Sequence, residues 1–204
     1  MRVTHTMWLM ASLACGSSGS TDSPDAAAHD AAGADRPDAA PLPVDDAGVE
    51  VFKVVFASSS KHNGDLGGLE AADALCAERA AGASLEGEFK AWLSGPDEPA
   101  GERLTHAAVP YLRTDGERVA DDWADLVDDT LAAPIDRDED GSPVSGDVWT
   151  GTRASGQLAA ATCGGFDTTE DTGVCGSSEA TGADWSDHIQ PFCTSALRLY
   201  CVQQ

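Results

Sequence analysis

The stretch Asp136-Arg137-Asp138-Glu139-Asp140-Gly141-Ser142-Pro143-Val144-Ser145-Gly146-Asp147 has the spacing of a calcium loop. It reads D-x-D-x-D-G, with an acid at the twelfth position. Asp136, Asp138, Asp140 and Asp147 would supply carboxylates, Ser142 its carbonyl, and Gly141 the sharp turn. A hard cation takes about six to eight oxygens, and alternate residues of a curled loop can all face it. The match has departures. Asp147 is shorter than the usual bidentate Glu, no helical pattern flanks the loop, and Pro143 stiffens it. In a chain with 35 acids the alternative is a solvated acidic loop. Calcium is the one cofactor the residues suggest, with a structural role and an affinity of ~0.1–1 mM, as in extracellular modules.

The thiols offer a second chemistry. Six cysteines stand at Cys15, Cys76, Cys163, Cys175, Cys193 and Cys201. None form a C-x-x-C pair, and the histidines are scattered, so disulfides in an oxidising compartment are expected over zinc. Spacing alone does not choose the pairs.

No catalytic constellation emerges. The chain lacks Gly-x-Ser-x-Gly, His-Glu-x-x-His and a phosphate-cradling loop. His62, His106 and His188 have no evident nucleophile and orienting acid beside them. Asp121-Asp122 and Asp128-Asp129 are adjacent pairs, which diverge on a helix. The chain is therefore not expected to be an enzyme.

The composition narrows the partners. In 204 residues, 35 Asp and Glu oppose 12 Lys and Arg, for a net charge of -23. That field repels phosphate backbones and anionic membrane surfaces. No nucleic-acid role is expected, and contact with a membrane only through a lipid.

A lipid has a place to attach. Residues 1–15 read as a lipoprotein-type signal: Arg2, an apolar run Met7-Trp8-Leu9-Met10-Ala11, then Leu13-Ala14 before Cys15. The run is too short to cross a bilayer, which takes about 20 residues. A diacylated Cys15 would anchor the chain; the alternative is plain secretion with cleavage near Ala14. Residues 16–48 are Gly, Ser, Asp, Ala and Pro almost throughout and read as a disordered spacer. The chain is thus expected to be exported, to an outer membrane or cell surface.

The folded part is expected over residues 49–204. Val51–Phe56 is a strand candidate, rich in β-branched and aromatic residues. Leu69–Ala81 carries a helical stripe through Ala72, Leu75 and Cys76, closed by Gly82. A second helix is expected from Ser84, with Leu85, Phe89, Trp92 and Leu93 on one face. Val109–Arg113 is an edge-strand candidate because of Pro110, and Trp123–Val127 a short helix or turn. Val148–Thr152 reads as a core strand. Residues 154–184 read as a long loop region. In the closing strand Leu197, Leu199 and Cys201 face one way and Arg198 and Tyr200 the other, which suits the middle of a sheet. The class is α+β.

Several blocks in fixed order carry a resemblance. They are Val55-Phe56-Ala57-Ser58-Ser59, Asn63-Gly64-Asp65-Leu66-Gly67-Gly68-Leu69, Phe89-Lys90-Ala91-Trp92-Leu93-Ser94, Val148-Trp149-Thr150-Gly151-Thr152 and Leu197-Arg198-Leu199-Tyr200-Cys201. Together they resemble a bacterial domain family of unknown function found in spirochaete and myxobacterial lipoproteins. The order of parts is similar, more distantly, to endostatin and to C-type lectin-like domains. That resemblance implies two N-terminal helices, a twisted antiparallel sheet and a long disulfide-held loop region. It also implies bridges Cys76–Cys201 and Cys163–Cys193, leaving Cys175 unpaired; the alternative the spacing allows is a local Cys163–Cys175 loop. Trp185-Ser186-Asp187 lies where C-type lectins carry Trp-Asn-Asp, but the asparagine and the partner triplet are missing, which argues against a calcium-bridged sugar site.

The function expected from all this is a surface-tethered, non-enzymatic module that binds an extracellular protein or glycan through the loop region of residues 153–190. The alternatives are a structural envelope lipoprotein without a discrete ligand and an extracellular hydrolase with an unrecognised site.

Overall fold

A computed structural model describes residues 41–204. The expected signal, Cys15 and the spacer as far as residue 40 lie outside the described residues. The chain is already turned before Val49. Asp45 accepts the N–H groups of Ala47 and Val49, and Val51 donates its N–H to the carbonyl of Pro43. The last part of the expected spacer therefore belongs to the folded unit.

The described residues build a seven-stranded mixed sheet from β1 (Lys53–Ala57), β2 (Phe89–Ala91), β3 (Tyr111–Arg113), β4 (Arg118–Ala120), β5 (Asp147–Trp149), β6 (Cys175–Ser177) and β7 (Arg198–Gln203). The order is β4-β3-β1-β7-β5-β6, with β2 also on β7. Most pairs are antiparallel, but β1 pairs with β3 and β5 with β7 in parallel. A wholly antiparallel sheet is thus corrected to a mixed one. β7 holds the centre. Its residues 200–202 face β1 on one side; on the other, residues 198–199 pair with β5 and residues 201–203 with β2.

Alternation in the sequence sends neighbouring side chains of β7 into two cores. Tyr200 and Val202 join Val55, Trp92, Tyr111, Val148 and Trp185 on one face. Leu199 and Cys201 join Phe56, Phe89, Trp149 and Phe166 on the other. A strand buried on both sides must be apolar at every position, and Leu199-Tyr200-Cys201-Val202 is nearly so. Each large side chain buried this way contributes about 1.5–3 kcal/mol before entropy is charged.

The second core is covered by α1 (Gly68–Gly82). Gly67 and Gly68 enter it with φ of 81° and 85°, a backbone that suits glycine. Glu70 lies in its first turn and Arg79 in its last, both favourable to the helix dipole. Its buried stripe is Ala72, Cys76 and Ala80, small residues at a spacing of four that let it lie close to the sheet. Two four-residue helical turns, α2 (Ala100–Arg103) and α3 (Trp123–Leu126), lie among the connections; Asp122 caps α3 by accepting the N–H of Asp125.

The expected second helix is a strand. Ser84 and Gly87 have φ of 59° and 97°, which no helix accommodates. Beyond them Phe89 and Ala91 are buried while Lys90 between them is not, the period of two of β2. What decides the matter is the part of β7 that β5 leaves unpaired. The N–H of Ala91 also donates to Asp73 of α1, and Arg103 pairs with Asp73 and donates to the carbonyl of Ala91. β3 is likewise not an edge. Pro110 sits just before it, and the Asp115-Gly116 turn folds β4 onto its outer side.

Two disulfides fasten the fold. Cys76 of α1 is bonded to Cys201 of β7 across 125 residues of chain, and Cys163 to Cys193 across 30. Cys175 is free and buried. A bridge closing loops of these lengths stabilises by about 2–5 kcal/mol.

Candidate functional site

The long loop region is built around Cys163. Cys163, Gly164, Gly165 and Phe166 all have positive φ, between 51° and 83°, and form a left-handed turn that aims the Cys163 sulfur inward. Thr162 caps the turn by accepting the N–H of Gly165 at 3.1 Å. The sulfur fits only because two neighbours lack a side chain. A Cβ on Gly64 would stand 2.3 Å from Cys163 Sγ, and one on Gly173 2.6 Å from it.

From the disulfide two rails of chain run side by side. Thr172 lies opposite Phe192 and Cys175 opposite Ile189 in antiparallel bridges. The N–H of Gly173 donates to the carbonyl of Pro191, that of Cys193 to Asp171, and that of Cys175 to Ile189. The loop joining the rails is pinned at Trp185 and Ser186. Trp185 packs on Trp92 with ring centroids 4.9 Å apart. Ser186 accepts the indole N–H of Trp92 at 2.8 Å and donates to the carbonyl of Thr152 at 2.8 Å. Gly176 makes room for this: a Cβ there would lie 1.8 Å from the Trp185 carbonyl oxygen.

On this fixed frame two apolar side chains face outward. Phe192 is 73% exposed and Ile189 46%. Six exposed carboxylates accompany them along the region: Asp167, Glu170, Asp171, Glu179, Asp184 and Asp187. Between Arg153 and Arg198 the sequence has no Lys or Arg. His188 is the one basic side chain there, its Nδ1 3.6 Å from Asp184.

The other expected site residues go elsewhere. Trp185 and Ser186 are core anchors, so in Trp185-Ser186-Asp187 only Asp187 reaches solvent. Asp136 pairs with Arg113 at 2.5 Å and with Arg137 at 2.9 Å. Asp138 accepts the N–H groups of Asp140 and Ser142, bracing its own turn. The carbonyl of Ser142 accepts the N–H of Asp138. Asp140 is exposed, and Asp147 begins β5 opposite Ser177. Among the described residues no group of three or more His, Cys, Asp or Glu is gathered to hold a metal ion.

The histidines are likewise occupied. His106 stacks on Trp123 with centroids 4.3 Å apart and bonds the carbonyl of Gly101. His62 shares a 2.9 Å hydrogen bond with Ser60, and burial with the nearby Arg79 lowers its pKa. Cys175 is a poor nucleophile: burial, with the Asp147 charge adding to it, pushes its thiol up to about 12. A separate cleft of about 470 Å³ is lined by Val51, Phe52, Leu85, Leu112 and Arg113. Arg113 there is already engaged by Asp115 and Asp136.

Sequence reading places the binding surface in residues 153–190, and so passes over Phe192. A phenylalanine beside a half-cystine reads as core; only the pairing of Thr172 with Phe192 turns it outward.

No protein-family model matches the chain, and no curated protein matches its sequence. Among the described residues no helix is long and apolar enough to cross a membrane.

Proposed function

We propose that this chain is a surface-tethered, non-enzymatic binding module with a C-type lectin-like or endostatin-like fold. The observation that carries the reading is Phe192, an exposed aromatic on backbone fixed by the Cys163–Cys193 bridge and by pairing to Thr172. An apolar ring held in water on a rigid rail is suited to contact, because little side-chain or loop entropy is lost on binding. Supporting the fold assignment are α1 bridged to a central last strand, and a second bridge inside a long loop region. Two disulfides suit an exported protein. In this reading Cys15 carries the lipid, residues 16–40 serve as spacer, and the module works at an outer membrane or cell surface. The ligand is an extracellular protein or glycan. The reading needs no cofactor, because Asp136 and Asp138 are already satisfied within the protein.

The test is binding of the full chain to an array of immobilised glycans and to a panel of purified extracellular proteins, beside Phe192→Ala. Binding weakened by about fivefold or more in the variant supports the reading. Binding to neither, or binding indifferent to Phe192, returns the chain to a structural role in the envelope.

A further inference from the structure

The two sides of the charge balance are distributed differently in this protein. Most of the cations in the described residues are spent internally. Arg103 pairs with Asp73, Arg113 with Asp115 and Asp136, and Arg198 donates to the carbonyls of Ser58 and Ser59. The loop region has the opposite character. Its six carboxylates are exposed, and among the described residues the one basic side chain within ion-pair distance of any of them is His188, beside Asp184. The backbone bridge between Asp65 and Asp167 brings a further exposed acid to the same region. Within this negative field stand Ile189 and Phe192, the two large apolar side chains of the loop region that water reaches most.

We infer that this loop region binds a Lys- and Arg-rich segment of a protein, with an apolar side chain of that segment seated against Phe192. The inference rests on the binding-module reading and names its partner. Charge complementarity selects the class. A cationic segment is steered in by the carboxylates, and cations also favour the face of an exposed aromatic ring. Acidic glycans and anionic lipid surfaces are repelled by the same field. Neutral glycans gain nothing from it, and the one lectin-like triplet has its Trp and Ser buried in the core. The rigid frame completes the argument: Asp171 and Gly173 on the facing rail hydrogen-bond to Cys193 and Pro191, so the ring of Phe192 is presented without prior ordering.

The test uses the full chain and a short labelled peptide of lysine and leucine, read by fluorescence anisotropy. Two control peptides replace each lysine with glutamate or each leucine with serine. The lysine–leucine peptide should bind, the glutamate version should not, and the serine version should bind more weakly. Phe192→Ala should weaken binding of the first peptide about fivefold or more, and Phe192→Trp should retain it. The triple variant Glu170→Gln, Asp171→Asn, Asp187→Asn should weaken binding about tenfold and flatten its salt dependence. The same charge change at Glu50→Gln, Glu86→Gln, Glu88→Gln, around the cleft and the turn before β2, should alter it less than about twofold. Equal losses from the two triples would mean attraction to net charge alone and would overturn the inference. So would indifference to Phe192. Glycan binding that depends on Phe192, without peptide binding, would overturn the partner class while leaving the binding module intact. Loss of both would remove the two readings together.

Discussion

The indole N–H of Trp92 donates to Ser186 Oγ at 2.8 Å, and both side chains are fully buried. This single contact joins the chain just beyond β2 to the tip of the loop region, 94 residues on. The carbonyl of Ser186 accepts the hydroxyl of Thr150 at 2.6 Å, so one residue serves three others. Ser186→Ala strands the Trp92 donor in an apolar site. Chemical denaturation should show a loss of about 1–3 kcal/mol. The neighbouring exposed Asp187→Ala should stay within about 0.5 kcal/mol.

The disulfides differ in reach. Replacing Cys76 and Cys201 together by Ala should cost about 2–5 kcal/mol and lower the melting temperature of the whole fold. Replacing Cys163 and Cys193 should also speed hydrogen exchange locally, over residues 171–175 and 189–193, because their rails are tied there. Cys175→Ala, which breaks no disulfide, should cost less than either pair. Equal losses in all three variants would contradict this order.

The Cys175 thiol should resist alkylation at pH 8 in the folded protein and react fully once denaturant is added. Its pKa is raised from 9.0 to about 12 by burial and by the Asp147 charge. The folded state therefore holds its proton where the unfolded state releases it. The stability this represents is complete below pH 9 and is lost as pH rises towards about 12. An unfolding series across that alkaline range should slope downward, and less steeply in Cys175→Ala.

Arg113 is buried and gathers Asp115, Asp136 and the carbonyl of Pro134. Arg113→Gln should cost about 2–3 kcal/mol, less than a fully buried pair because both acids keep some contact with water. Burial pushes the Asp115 carboxyl up, but hydrogen bonds and charge from Arg113, with Arg137 beside it, more than offset this and hold it below the ordinary 3.8. Its contribution is present above that value and lost as pH falls through the lowered one. The acid limb of the stability profile should therefore be shallower in the variant.

The same pairing bears on calcium. A site of ~1 mM affinity would add about 1 kcal/mol at ~5 mM metal. With Asp136 held by Arg113 and Asp138 bracing its own turn, millimolar calcium should leave the melting temperature of the full chain unchanged. Asp138→Ala should lower that temperature equally with calcium and with chelator, because what it loses is the turn.

Local pattern made α1 and β7 legible. The helical stripe through Ala72 and Cys76 and the two-faced run Leu199–Val202 each state their packing without help from the rest of the chain, although the stripe continues to Ala80 where the pattern points to Leu75. β2 was hidden because Leu85, Phe89, Trp92 and Leu93 also fit a helical face. The choice between periods was made by a vacant stretch of β7 more than a hundred positions away, which no window of sequence contains. The outward turn of Phe192 was hidden for the same reason, since it depends on register with Thr172. In the acidic loop the spacing of the carboxylates was visible, but the arginine that answers Asp136 comes from β3.

β7 follows every other described element in chain order, yet β1, β2 and β5 all pair with it. Assembly of the sheet must therefore wait for its middle member. If the thiols oxidise as the chain emerges, Cys76 meets Cys163, Cys175 and Cys193 before it can meet Cys201. Thiols joined in order of arrival would be joined wrongly, and reaching Cys76–Cys201 would then take a round of thiol–disulfide exchange.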